Sequence, residues 1–129
     1  MNSLRRGQII DVDLEPTRGS ETGKVRPCII VTNDVYNARV PVIQVVPITE
    51  WNEKKARIST NIDLDPSAMN GLAKRSIADC LQTRPIDHRQ RLVRVRGELG
   101  FEVGGEVGGV ADGDGFVAES RQALDQVLF

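Results

Sequence analysis

The sequence predicts an α+β protein, mainly β, in which short antiparallel strands bend into a small barrel-like sheet with one C-terminal helix. Three observations carry this expectation. Apolar runs, most of them alternating with polar residues, recur over six short segments separated by Gly, Pro, Asn and Asp. Val, Ile and Leu dominate the apolar set while aromatic residues make up only 4% of the chain, and β-branched aliphatics suit a pleated, packed surface. Helical spacing shows in the last segment, residues 116–129, through Val117, Leu124, Val127 and Leu128. With 129 residues there is room for a single core, so residues 1–129 are expected to form one domain.

The first strand, Gln8 to Leu14, alternates cleanly, with Ile10, Val12 and Leu14 on one face and Asp11 and Asp13 on the other. A polar loop rich in Gly, Thr and Ser leads into a second strand, Arg26 to Asn33, whose near-continuous apolar run predicts burial on both faces. Asn33 to Val40 reads as a turn and short connection before a third strand, Pro41 to Thr49. Proline lacks a ladder donor, so Pro41 and Pro47 belong at a strand start, an edge or a bulge. A bulge at Pro47 would re-aim Ile48 and Thr49. Trp51 to Lys55 reads as a charged, solvent-facing link, and Arg57 to Leu64 as a fourth strand closed by Asp65-Pro66 and the turn Met69-Asn70-Gly71. Ser76 to Arg84 and Arg91 to Leu99 complete the strands. Residues 100–115 are mostly Gly, Glu, Asp and Val, which predicts a mobile loop before the terminal helix.

Composition excludes several classes. No run approaches the roughly 20 apolar residues that span a bilayer, and the start Met-Asn-Ser-Leu-Arg-Arg-Gly lacks an apolar core after its charges. A cytoplasmic protein without a membrane partner is expected. Cys28 and Cys80 each sit in a hydrophobic run, which predicts reduced core thiols. His88 has no second ligand at metal spacing, so neither a metal site nor a cofactor is expected. There is no Walker loop, no Gly-x-Gly-x-x-Gly after a strand and no Gly-x-Ser-x-Gly elbow. The net charge of −1 conceals an asymmetry: residues 1–97 hold 16 Lys and Arg against 11 Asp and Glu, whereas residues 98–129 hold 1 against 7. The basic part suits a polyanion partner, or is simply a mixed-charge soluble surface.

The loop before the second strand concentrates the chemistry. Within seven residues it offers a hydroxyl (Ser20), a carboxylate (Glu21) and two cations (Lys24, Arg26), and Pro27 biases Arg26 to leave the loop extended. An ordinary hairpin loop with solvated charges has the same composition. Cutting RNA without a metal needs a base for the ribose 2′-hydroxyl, a donor for the leaving 5′-oxygen, and cations or N–H groups around the charged intermediate. One His cannot supply an acid–base pair. The candidates are Glu21 as proton acceptor, Arg26 as phosphate clamp and conceivable proton donor, and Thr49 as hydroxyl donor to a phosphoryl oxygen. Arginine binds phosphate well through its planar fork but is a poor base, which favours electrostatic stabilisation for Arg26. Thr49 is equally an ordinary β-former at a strand end.

Arg6-Gly7 before an alternating strand, Asp13-Leu-Glu-Pro-Thr-Arg-Gly-Ser-Glu21, Val25-Arg-Pro27 before an aliphatic strand, Val46-Pro-Ile-Thr49, and Ser76 to Asp87 with its Gln-x-Arg-x-x-Asp ending together resemble the MazF/PemK family of toxins of type II toxin–antitoxin modules. The resemblance spans roughly residues 5–99 and the terminal helix. It implies a small SH3-like barrel of the CcdB/PemK type with a C-terminal helix, and a homodimer. It implies a metal-independent endoribonuclease that cuts single-stranded RNA at short sequences, leaving a 2′,3′-cyclic phosphate and a 5′-hydroxyl. The family's catalytic Arg and Thr fall on Arg26 and Thr49, and RNA-contact positions on Ser20, Glu21 and Gln82, with Lys24 and Arg84 beside them as further RNA-binding candidates. The implied partners are single-stranded RNA and a cognate antitoxin whose acidic segment occupies the RNA groove, with DNA bound only through the antitoxin complex. A non-catalytic module for nucleic acid or acidic peptide, or a gyrase-poisoning toxin of the same fold, are the alternatives.

Three departures from the family pattern matter. Leu81 stands where some relatives carry a catalytic acidic residue, Ser20 where some carry His, and residues 100–115 look inserted. Glu102, Glu106, Asp112 and Asp114 either screen the basic groove of their own subunit or belong to a tolerated surface insertion.

Overall fold

Strand β1 (Gln8–Asp13) organises the sheet because it is paired on both edges. In the computed structural model, which describes residues 3–99, it lies antiparallel to β2 (Val25–Ile30) on one side and to β7 (Leu92–Glu98) on the other. β2 pairs in turn with the long β3 (Val42–Glu50). The opposite edge of β3 takes β5 (Ser76–Ala78) near its end and β6 (Arg84–Asp87) near its start, and β4 (Ile62–Leu64) pairs with β5. The order is β4-β5-β3-β2-β1-β7, with β6 also on β3. All pairings are antiparallel, and among the described residues none joins β4 to β7, so the sheet is open rather than a closed barrel.

Both faces are buried, and the two-residue period of a strand divides the aliphatics between them. Ile9, Ile29, Val31, Val46, Ile48, Ile62, Leu64 and Ala78 form one cluster. Ile10, Val12, Leu14, Cys28, Ile30, Ile43, Val45 and Ile86 form the other. Burial on both sides explains why β2 and β3 read as nearly continuous apolar runs. Cys28 and Cys80 are free, buried thiols, and burial pushes their pKa values up to about 12 and about 11.

Several boundaries differ from expectation. The predicted strand from Arg57 to Leu64 is strand only at Ile62–Leu64, and the link before it forms a one-turn helix, Glu53–Ala56, with the Asn52 side chain accepting the Lys55 N–H at 2.8 Å. Asn33 caps a similar turn, Asp34–Asn37, within the predicted connection. Short polar side chains at a helix start satisfy orphan amide donors, which is what these asparagines do. The predicted strand Ser76 to Arg84 divides into β5, a 3₁₀ turn at Cys80–Gln82, and the start of β6, giving seven strands where six were expected. Another turn, His88–Arg91, precedes β7. Pro47 carries no register shift: it sits in the ladder opposite Cys28. Its carbonyl accepts the Asp79 N–H, so its missing N–H faces the break between β5 and β6, where no ladder bond is lost. The register shifts occur instead between β1 and β7, on either side of the Ile10–Asp11 step.

Asp11, expected on a polar face, is buried. Arg94 Nε lies 2.6 Å and Arg96 Nε 2.9 Å from its carboxylate, and Arg96 also donates to the Gly71 carbonyl at 2.9 Å. The predicted turn at Gly71 has φ +70°, and a Cβ there would lie 2.6 Å from the Arg96 carbonyl oxygen, so only glycine lets this turn close against β7. The predicted loop 100–115 and helix 116–129 lie outside the described residues.

Candidate active site

The β1–β2 connection is held by its own side chains. Leu14 N–H donates to the Lys24 carbonyl at 2.9 Å, and the Glu15 carboxylate accepts the Lys24 N–H at 2.6 Å, holding Lys24 at φ +68°. A Cβ at Gly23 would meet the Glu15 carboxylate and the Thr17 hydroxyl. Glu21 accepts the Arg18 N–H at 2.7 Å, so the proposed proton acceptor is exposed but engaged within its own loop.

Gln82 joins this loop to the 3₁₀ turn. Its Oε1 accepts the Thr22 N–H at 3.1 Å and its Nε2 donates to the Ser20 carbonyl at 3.4 Å. The predicted contact residues Ser20 and Gln82 are thus brought together across 62 residues of sequence. Beside them Leu81 is 68% exposed. Arg84, at the start of β6, donates to the Leu14 carbonyl at 3.1 Å, and Arg91 donates to the Asp13 and Glu15 carbonyls. The loop base therefore gathers several guanidinium groups.

Arg26 and Thr49 lie near one end of the β2–β3 pairing. Cys28 pairs with Pro47, Ile29 with Val46 and Ile30 with Val45. That ladder ends two residues short of Arg26 and Thr49, so both lie just beyond its same end, where Thr49 pairs instead with Ile77 of β5. Arg84 pairs with Val45. Burial dominates the raised pKa of Cys28, while the positive charges of Arg84 and Arg26 pull it down and the negative charge of Asp11 pushes it up.

Arg26 is half-buried, with its Nε donating to the Gly23 carbonyl at 3.0 Å, and among the described residues no ion pair holds it. Its remaining donors suit a phosphate fork. Thr49 is 8% exposed and its Oγ1 lacks a hydrogen-bond partner. An unpaired buried hydroxyl is destabilising, and Asn37 Oδ1 and Trp51 Nε1 are buried without a partner in the same way. The described residues include no group of three or more His, Cys, Asp or Glu placed to hold a metal ion.

Two features of this region escaped sequence reasoning. Asp79 is buried against Lys55 at 3.3 Å at the β5 end. Trp51, assigned to a solvent-facing link, instead extends β3 by one more pairing, its N–H donating to the Arg75 carbonyl at 3.2 Å. The signal was present: alternation along β3 continues through Thr49 to Trp51, the only tryptophan.

Residues 5–107 match the PemK-like, MazF-like toxin of type II toxin–antitoxin systems. The chain belongs to this family. It is 36% identical over 87 residues to an endoribonuclease MazF of Staphylococcus epidermidis, covering 67% of this chain and 71% of that one. The fold of this MazF/PemK-type chain matches MazF from Deinococcus radiodurans with a TM-score of 0.64 at 18% identity, covering 99% and 98% of the two chains. A mycobacterial endoribonuclease in complex with its cognate antitoxin matches with a TM-score of 0.61 at 19% identity, covering 99% and 95%. These structural likenesses establish the mainly antiparallel fold. Among the described residues no helix is long and apolar enough to cross a membrane.

Proposed function

We propose that this MazF/PemK-type toxin is an endoribonuclease that cuts single-stranded RNA at the face carrying Arg26 and Thr49. The observation that supports the reading is that Arg26 and Thr49 lie just beyond the same end of the β2–β3 ladder, one with guanidinium donors to spare and the other with a hydroxyl lacking a hydrogen-bond partner. The RNA 2′-oxygen attacks the adjacent phosphorus, its proton passes to a base, and the bond to the 5′-oxygen breaks as that oxygen takes a proton. A 2′,3′-cyclic phosphate and a 5′-hydroxyl result. Arg26 holds the phosphoryl oxygens and offsets the charge that develops on them, and the Thr49 hydroxyl donates to one of them. Glu21 is the carboxylate available as base, provided it releases the Arg18 N–H when RNA binds. Arg84 and Lys24 add positive charge along the RNA path, while Gln82 and the Ser20 backbone shape the loop that lines it.

The chain acts as one domain of 129 residues and as a homodimer. Its partner is an antitoxin whose acidic segment competes with RNA for this basic face, and DNA is bound only through that complex. The endoribonuclease MazF of Staphylococcus epidermidis supports the nuclease reading, and the structural neighbour in complex with its cognate antitoxin supports an antitoxin as partner. Incubating the protein with a long single-stranded RNA in EDTA tests it. Discrete fragments with cyclic phosphate ends are expected, and intact RNA would leave a non-catalytic binding module.

A further inference from the structure

Beyond Thr49 the same strand carries a second cluster on the same face. Trp51 lies two residues on, about 6.6 Å along an extended strand. The Arg75 guanidinium stacks over its indole, 4.2 Å from the ring centroid. Arg75 pairs edge-on with Asp63 at 2.8 Å, through Nη2. A guanidinium held by a ring on one face and a carboxylate on one edge has its plane fixed. Its side chain is nevertheless 52% exposed. An isolated surface ion pair contributes little to stability, so three side chains from three different strands or strand ends make an expensive way merely to decorate a surface. Ring and guanidinium planes are what unpaired RNA bases stack on.

The geometry points to Arg75 on Trp51 as a stacking platform for the nucleobase next to the scissile phosphate. This rests on the RNA-cutting function proposed above. Trp51 supports the guanidinium, Asp63 sets its rotation, and the exposed face of Arg75 receives the base. The spacing from Thr49 to Trp51 lies within the span of one nucleotide, so a base displayed there belongs to a residue flanking the cut.

The single tryptophan makes the site directly observable. The probe is a fluorescein-labelled single-stranded RNA dodecamer of mixed sequence, titrated into full-length Arg26→Ala protein, which is expected to cut it at least about 10²-fold more slowly than wild type. Anisotropy reports binding, and Trp51 emission reports the platform. Binding should change Trp51 emission along the same isotherm. In the Arg26→Ala background, Arg75→Gln and Arg75→Lys should each weaken binding by about tenfold, as expected for loss of one stacked base. Arg75→Lys keeps the charge, so its failure to rescue affinity separates stacking from simple attraction, and the salt dependence of binding should fall only for Arg75→Gln. Binding with unchanged Trp51 emission, or full rescue by Arg75→Lys, overturns the platform and leaves the cleavage reading standing. Unchanged emission and anisotropy together overturn both. Wild-type protein that leaves RNA intact while the emission still responds overturns the cleavage and keeps the platform.

Discussion

Replacing Thr49 with Val sets stability against function at one atom. Thr49 is 8% exposed, and its Oγ1 has no hydrogen-bond partner. An unpaired buried hydroxyl costs about 1–3 kcal/mol. Valine has the same branched shape and the same χ1 restriction, with a methyl where the hydroxyl stood. The substitution removes the unpaired group and buries one more methyl, worth about 0.8 kcal/mol at full burial. Imperfect fit of that methyl offsets part of the gain, leaving an expected net stabilisation of about 1 kcal/mol. For 129 residues that corresponds to a Tm higher by about 3–5 °C. The same variant should cut RNA about 10²-fold more slowly, the usual consequence of losing one donor to a charged intermediate. Urea and thermal unfolding measure the first effect, and single-turnover cleavage at saturating protein the second. A Thr49→Val protein less stable than wild type refutes the idea of an unpaired hydroxyl. Wild-type cleavage by a stabilised variant removes Thr49 from the chemistry.

Arg26→Ala should slow cleavage by about 10²-fold or more while changing stability by less than about 1 kcal/mol, because its one observed bond is to a loop carbonyl; parallel cleavage and unfolding assays check it. Gln82→Ala removes both bonds that tie the loop to the 3₁₀ turn and should make the Thr22 amide, whose N–H loses its acceptor, exchange hydrogen faster, by about tenfold for a loss of about 1.4 kcal/mol, as seen by hydrogen-exchange mass spectrometry. For Asp11, burial pushes the pKa up, but the hydrogen bonds and charges of Arg96 and Arg94 outweigh it and hold the carboxyl below its usual range. A group depressed in this way contributes stability above its unfolded value, about 3.9, and loses it as pH falls through the folded value. The stability deficit of Asp11→Asn should therefore be full at neutral pH and shrink below about pH 4. Cys28 and Cys80 should resist thiol-specific alkylation at pH 8 in the folded protein and react on unfolding, since burial raises both thiols far above that pH.

Much of this was legible in the sequence, for identifiable reasons. Strand alternation located β1 because a pleated strand imposes period 2 on a half-buried segment, and the near-continuous apolar run of β2 signalled burial on both faces. Alternation failed from residue 53 to residue 91, where strands are three or four residues long and one-turn helices intervene. Segments that short contain too few periods to distinguish a strand from a capped turn. The caps at Asn33 and Asn52 were visible as residue types, but asparagine also marks ordinary loops. Arg26 and Thr49 were candidates by residue chemistry and by motif resemblance, and Gln82 by resemblance alone. The role of Gln82 in bracing the loop was hidden, because its partners at Ser20 and Thr22 lie about 60 residues away.

Local order alone decided that this chain would be a β-rich protein with an aliphatic core, reduced thiols and a polar loop loaded with cations, because side-chain period and turn chemistry act over a few residues. What required the folded molecule was adjacency. The pairing of β2 with β3 brings Arg26 and Thr49 to the same end of two neighbouring strands, two arginines from β7 neutralise Asp11 on β1, and an extension of β3 brings Trp51 under Arg75. Each is a meeting of residues far apart in sequence, and which strand edges meet depends on how the whole set of apolar faces is best covered.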